Sequence, residues 1–275
     1  VFPRAVGLFT EPAHYAIMLL PSVFLSINQL VSNKILLNFG SKISAIIILF
    51  GFVISFSLVG YVGLALTFMI VFRESLKKNF LKIVVLFIGF TFLLYFILQT
   101  SIGEKIYSFI DVSKDISNTE YTTSDQSSFA LLSNFLIAKE SMNNSHFLGN
   151  GLNSHKVTYD LYIYRFFSNS QIISELNRDN AGSMFIRVLS EFGLPGFFFF
   201  IWFLLHFKLK SNSSSDYLIL SNLSFVFLIS FSVRNGDYLN ILFFFFLTMH
   251  YHIYVIERNK NHTEDNLLNE RDTEI

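Results

Sequence analysis

The chain has 275 residues, of which 52% are hydrophobic, 17% aromatic and only 15% charged; a soluble domain carries roughly 25% charge to keep its surface wet, so this composition points instead to an all-α, polytopic integral membrane protein. Lysine plus arginine balances aspartate plus glutamate at 20 each, and no basic patch invites a nucleic acid. There is no cysteine, which removes disulfides, thiolate nucleophiles and cysteine metal sites.

The opening VFPRAVGLFTEP begins at Val1 and lacks the layout of a signal peptide. The expectation is a fragment of a longer protein whose N-terminal helices precede it. A helix needs about 20 apolar residues to cross roughly 30 Å of hydrocarbon. Seven stretches qualify: 13–31, 35–56, 58–72, 81–100, 184–207, 217–233 and 238–256. The second and third form one apolar run, too long for a single span, and Ser55, Phe56 and Ser57 are where it should divide.

Lysine and arginine in the short connections set the orientation. Lys34 and Lys42 follow the first span, Arg73, Lys77, Lys78 and Lys82 the third, Lys208 and Lys210 the fifth, Arg258 and Lys260 the last. These should be cytoplasmic. Residues 1–12, the Ser57 turn, the 101–183 loop and the 234–237 turn should face outward. A loop of that length is more than a connector. Within it 129–142 has helical periodicity, with Phe129, Leu132, Phe135, Leu136 and Lys139 at helical spacing. The aromatic stretch 159–167 suits the membrane interface. The tail, 257–275, is polar and reads as a disordered cytoplasmic extension of the 1–256 transmembrane region.

Charges near membrane depth cost several kcal/mol unless paired or hydrated, so they mark function more often than chance. Four clusters fall on the outward side. The first holds Arg4, Glu11 and His14; its plain alternative is an ordinary interfacial helix start, with Glu11 at the N-terminus where the dipole favours it. The second is Gly149-Asn150-Gly151 with His155, where exposed backbone N–H groups could cradle an anion, although a plain turn explains the pattern as well. The third is NAGSMFIRVLSEFGLPG, 180–196. Asp179 or Asn180 can cap the helix, Arg187 and Glu191 share a face and can pair, and Pro195 cannot donate to the carbonyl of Glu191, so a break is expected there. The alternative is an ion pair that only satisfies itself. The fourth is Arg234-Asn235-Gly236-Asp237-Tyr238, otherwise a tight turn with solvated charges. Arg4, Arg187 and Arg234, with Arg165 in the loop, form an arginine array on one side. Arginine forks match phosphate oxygens and keep their charge, so a lipid-linked diphosphate suits the array. His146, His155, His250 and His252 lack ligand spacing, so no metal site is expected.

In RAVGLFTEPAHYA, FSLVGY, FLGNGLNSH and NAGSMFIRVLSEFGLPG, taken in that order, the chain resembles the O-antigen polymerase and ligase superfamily of bacterial surface-polysaccharide assembly. The resemblance runs along nearly the whole chain and implies its C-terminal two-thirds or so. It implies a membrane glycosyltransferase of GT-C type in the bacterial inner (cytoplasmic) membrane, active on the periplasmic side, using undecaprenyl-diphosphate-linked oligosaccharide without metal, cofactor or nucleotide sugar. It leaves room for a polysaccharide chain-length regulator as a partner. Carried onto this sequence, Arg4, Arg187 and Arg234 bind diphosphate, and Glu11 or Glu191, with Asp237 as a weaker choice, activates the acceptor hydroxyl. His14, Gly149, Gly151, His155, Arg165 and Asn180 line the substrate. Ligases of this superfamily place a His before the Asn where this chain has Asp179-Asn180, which favours polymerase over ligase. The competing classes are a flippase or transporter of the same lipid-linked units, expected to show related halves and broken helices, and a structural membrane protein in which all four clusters are inert.

Overall fold

The computed structural model describes residues 7–9, 11–32, 41–73, 126–166, 176–210 and 215–273. Among them the regular structure is helical throughout: α1 (Pro12–Ser32), α2 (Lys42–Val53), α3 (Leu58–Val71), α4 (Gln126–Asn144), α5 (His155–Phe166), α6 (Met184–His206), α7 (Ser215–Arg234) and α8 (Ile241–Thr273).

α1 opens on Pro12, a position where the missing N–H costs nothing because no carbonyl precedes it in the helix. It buries Ala16, Ile17, Leu20, Val23, Phe24 and Ile27 and packs on α2, α3 and α7. The chain between α2 and α3 breaks where the sequence suggested. Phe56 takes a left-handed φ of 45°, and the Ser57 hydroxyl then caps α3 by accepting from the Gly60 N–H at 3.2 Å. α3 is wedged between α1 and α7. A Cβ on Gly63 would lie 2.6 Å from Leu20 and 2.8 Å from the Ser230 hydroxyl, so a small residue sets the approach of the backbones. α8 closes the apolar body through Phe243 and Phe246, stacked on Phe231 and Phe227 of α7.

Three of the described helices are long and apolar enough to cross a membrane, over Pro12–Val31, Met184–His206 and Asp216–Arg234. This is fewer than the seven spans expected. α2 with 12 residues and α3 with 14 reach about 18 and 21 Å at 1.5 Å per residue, short of a hydrocarbon core of roughly 30 Å. The expected span at 81–100 lies outside the described residues. The tail also differs: α8 continues as helix through Thr273, where polarity had suggested disorder. The stretch 257–273 holds neither glycine nor proline, so nothing local stops a helix already begun.

The pair α4 and α5 carries a small core of its own. Phe129 and Ile137 of α4 meet Tyr159 and Ile163 of α5. Of the residues that periodicity placed on one face of α4, Phe129 and Leu132 are buried and Leu136 packs on the same cluster, but Phe135 is not. Ala130, Ser133, Asn134, Ile137 and Ser141 point inward, and Phe135 is 47% exposed. Ser141 donates to the Ser190 carbonyl of α6, Ser133 to the Ala130 carbonyl of its own helix, and the Asn134 amide to the Ala130 and Leu176 carbonyls, so each buried polar side chain is satisfied. α5 likewise turns Tyr159 inward, leaving Val157, Leu161 and Tyr164 exposed.

Candidate functional site

The site begins with the break in α6. Pro195 has no N–H for the Glu191 carbonyl, and at Gly193 the backbone leaves the helix with φ 64° and ψ −158°, a region open essentially to glycine alone. The loop after α4 takes up the groups thereby freed. The Gly151 N–H donates to the Glu191 carbonyl at 2.8 Å, and the Leu194 N–H donates to the Phe147 carbonyl at 3.0 Å. The Ser141 hydroxyl donates to the Ser190 carbonyl at 3.1 Å and accepts from the Asn150 amide at 2.7 Å. The fit is tight: a Cβ on Gly149 would lie 2.4 Å from the Glu191 carbonyl oxygen, and one on Gly193 2.0 Å from that of Phe147.

On this latch sits a buried ion pair. Arg187 Nε donates to Glu191 Oε1 at 2.8 Å, with side-chain exposures of 10% and 0%. Arg187 Nη1 donates to the Gly236 carbonyl at 2.8 Å, and Nη2 to Asn153 Oδ1 at 3.1 Å. All three guanidinium nitrogens are thus engaged. Glu191 Oε2 accepts from the Asn153 N–H at 2.9 Å and from the Tyr238 hydroxyl at 2.8 Å. The Tyr238 ring lies 4.2 Å from the guanidinium carbon, a cation–π contact strengthened by the burial of Arg187. Two charges this dry are stable only because each remaining polar atom has a partner.

The α7–α8 turn joins this pair to a second one. A Cβ on Gly236 would fall 1.5 Å from the Asn180 carbonyl oxygen, so the turn lies directly on the chain leading into α6. Two residues earlier, Arg234 Nη2 donates to Glu11 Oε2 at 3.0 Å, tying residues 223 apart in sequence. Arg234 is 9% exposed in its side chain, and Glu11 is 43% exposed. The first pair is sealed. The second holds a carboxylate that solvent or a substrate can reach.

The remaining expected residues distribute as follows. Arg4 lies outside the described residues. His14 is half-buried in the first turn of α1. The Gly149 N–H donates to the Ser145 hydroxyl at 3.0 Å, so this N–H and that of Gly151 are both consumed internally rather than presented to an anion. Asn180 does not cap α6; its side chain accepts from the Gly182 N–H at 3.0 Å, and Ser183 occupies the N-cap position. Arg165, at the end of α5, pairs with Glu140 of α4 at 2.9 Å. Asp237 is exposed and accepts from the Leu239 N–H at 3.0 Å, shaping the turn. His155 is buried at 1% exposure, with Nε2 at 2.8 Å from Asn134 Oδ1. The Asn134 amide nitrogen already donates to Ala130 and Leu176 carbonyls, so its oxygen faces the ring and His155 is the Nε2–H tautomer. Burial, then the Arg187 charge, pushes this histidine down to about 4, and it is neutral at ordinary pH.

Sequence reasoning overlooked Asn153 and Tyr238 as members of the site. Asn153 lies 34 residues from Arg187, and no spacing rule connects them. Tyr238 stood in the fourth cluster, but nothing local marks its hydroxyl as bound to a carboxylate 47 residues away. Among the described residues no group of three or more His, Asp or Glu side chains is placed to hold a metal ion.

No protein-family model, curated protein or solved structure matches this chain. Its membrane-helical architecture and the two Arg–Glu pairs therefore stand as the basis for a functional reading.

Proposed function

We propose that the chain is the catalytic part of a multi-pass membrane glycosyltransferase that polymerises undecaprenyl-diphosphate-linked oligosaccharide repeat units into a surface polysaccharide, acting at the outer face of the bacterial inner membrane. In this reading the full protein has further spans, including 81–100, and a GT-C-like arrangement. The resemblance of the four ordered motifs supports it. The observation that carries it is the Arg234–Glu11 pair, where a half-exposed carboxylate is held by a buried arginine in the turn that also closes over Arg187 and Glu191.

Glu11 is the base of the proposed reaction. An acceptor sugar hydroxyl attacks the anomeric carbon of the donor chain and its proton passes to the Glu11 carboxylate. The bond from that carbon to the diphosphate oxygen breaks, and the lipid diphosphate leaves with the electron pair. Reach to the hydroxyl matters more here than a shifted pKa. Arg234 orients Glu11, and Arg4 is the arginine assigned to the leaving diphosphate, whose developing charge it stabilises electrostatically. Arg187 and Glu191 are positioning residues in this scheme, since their polar atoms are already spent on each other and on Asn153, Gly236 and Tyr238.

One observation favours a transporter instead: α6 is a broken helix, as the half-helices of transporters are. In transporters, however, the freed backbone groups hold substrate, and here the 141–151 segment occupies them. A single experiment separates the readings. Glu11→Gln in the full-length protein, expressed in a strain lacking the gene, is expected to reduce a lipopolysaccharide ladder to a single repeat on the core. Bare core would indicate a flippase or ligase, and a full ladder would remove Glu11 from the chemistry.

A further inference from the structure

Two residues pin the turn between α7 and α8 to the sealed ion pair. The Gly236 carbonyl accepts from Arg187 Nη1. The Tyr238 hydroxyl donates to Glu191 Oε2, and its ring lies over the Arg187 guanidinium. The turn also braces itself. The Asp237 N–H donates to Asn235 Oδ1 at 2.8 Å and the Leu239 N–H to Asp237 Oδ1 at 3.0 Å, side-chain bonds that fix the backbone of a short polar turn. The Leu242 N–H donates to Asn240 Oδ1 at 3.0 Å, which caps α8. Against the chain entering α6 there is no slack, because a carbon added at Gly236 would overlap the Asn180 carbonyl oxygen and crowd the Ser183 N–H.

Arg234 needs such a support. Among the described residues its side chain makes one hydrogen bond, to Glu11, where that of Arg187 makes three. Glu11 is half-exposed, and an ion pair open to solvent contributes too little to hold two side chains in one geometry. Arg234 is nevertheless buried, so its surroundings confine it rather than the pair. It is the last residue of α7, and the Asn235 N–H still closes a helical bond to the Phe231 carbonyl at 2.8 Å. The braced turn therefore begins directly after Arg234, and its first anchor on the sealed pair is the carbonyl of Gly236.

We propose that Gly236 and Tyr238 are positioning residues for Glu11. Pinned to the Arg187–Glu191 pair at these two residues, the α7–α8 turn sets where Arg234 lies, and Arg234 sets the direction of the Glu11 carboxylate. The sealed pair thus acts on the open one through the turn. Gly236 serves because a larger residue would lift the turn off the Asn180 carbonyl. Tyr238 serves because its one side chain reaches both members of the sealed pair. The proposal rests on the reading of Glu11 as the base, but the hold of the turn on Glu11 is measurable without the reaction.

The detergent-solubilised full-length protein is treated with a water-soluble carbodiimide and glycine ethyl ester, and the rate of amide formation at Glu11 is read by mass spectrometry. Glu140, paired with Arg165 on the α4–α5 unit, is the internal reference, since general loosening raises both carboxylates together. Arg234→Gln, which frees Glu11 directly, sets the upper limit. Gly236→Ala is expected to raise the Glu11 rate relative to Glu140 roughly tenfold, and Tyr238→Phe, which keeps the ring, roughly threefold. Leu239→Ala, in the same turn but 80% exposed, should leave the ratio at the parent value. Tyr238→Phe carries the test should Gly236→Ala fail to fold. A parent-like ratio in Tyr238→Phe and Gly236→Ala alongside a raised one in Arg234→Gln overturns the proposal. So does a joint rise of Glu11 and Glu140, or a parent-like ratio in Arg234→Gln itself. Failure of the polymerase reading shows elsewhere, as a full lipopolysaccharide ladder from Glu11→Gln, whatever the labelling ratio.

Discussion

Replacing Gly193 by alanine tests the central physical argument, that a proline-freed stretch of α6 and the 141–151 segment fold each other. Two costs arise. The backbone at φ 64°, ψ −158° is essentially closed to a residue with a Cβ, a strain of about 1–3 kcal/mol. The new methyl would also lie 2.0 Å from the Phe147 carbonyl oxygen, backbone that cannot rotate away, so the loop must lift. Lifting it leaves the Leu194 N–H and the Glu191 carbonyl without partners, at roughly 1–3 kcal/mol each. The sum is about 3–9 kcal/mol, a large part of the roughly 5–15 kcal/mol that holds a typical domain together. The companion variant Gly151→Ala separates the terms. Its φ is 96° but nothing lies within 4 Å of the added carbon, so only backbone strain of about 1–2 kcal/mol is expected. Limited trypsin digestion of the detergent-solubilised full-length protein reads the difference, with Lys139 and Lys156 as exposed cleavage points on either side of the loop. Cleavage through a locally open state follows the population of that state. Gly193→Ala should therefore be cut roughly 100-fold faster or more than the parent, each factor of ten being about 1.4 kcal/mol. Equal cleavage rates for the two variants would refute the latch.

The sealed ion pair makes a second prediction. Arg187→Leu should destabilise the solubilised protein by about 3–5 kcal/mol by stranding Glu191, and Arg187→Leu/Glu191→Leu should recover most of it in thermal unfolding; additive losses would argue against direct coupling. Tyr238→Phe removes one of two donors to Glu191 Oε2 and should cost only about 1 kcal/mol in the same assay, whereas a loss as large as that of Arg187→Leu would show that the hydroxyl does more than donate. His155 predicts a pH dependence. The folded state holds the ring neutral down to about 4 while the unfolded chain takes up a proton near 6.5. Stability is therefore complete above 6.5 and falls as the pH drops from 6.5 toward 4, by up to about 3 kcal/mol. His155→Gln should flatten that slope; an unchanged slope would assign it to another group.

Local patterns in the chain foretold the elements whose causes are local. The apolar length of α1, α6 and α7, the division of the long run at Ser55, Phe56 and Ser57, and the break forced by Pro195 all follow from a few neighbouring residues. The face shared by Arg187 and Glu191 follows from helical spacing alone. The helical stretch at 129–142 was legible too, and part of its packed face with it, since Phe129 and Leu132 are buried. Periodicity also turns Phe135 inward, whereas the structure turns in Ser133, Asn134 and Ser141; Asn134 and Ser141 reach the Leu176 and Ser190 carbonyls, partners that no spacing within the helix reveals. The glycines of FLGNGLNSH were visible as a turn. The Gly149 N–H is taken locally by Ser145, but that the Gly151 N–H serves Glu191 rather than an anion depends on a helix some forty residues downstream.

The sequence by itself determined that this is a membrane-helical protein and where its charged residues concentrate, since hydrocarbon selects apolar runs and penalises charge wherever the chain folds. Only the tertiary structure decided which of those charges remain available. Arg187 and Glu191 are extinguished by Asn153, Gly236 and Tyr238, while Arg234 reaches across the chain to leave Glu11 half open. An ionisable group acquires its role from the partners that surround it in space, and those partners come from loops and turns whose contact with it no spacing in the sequence records.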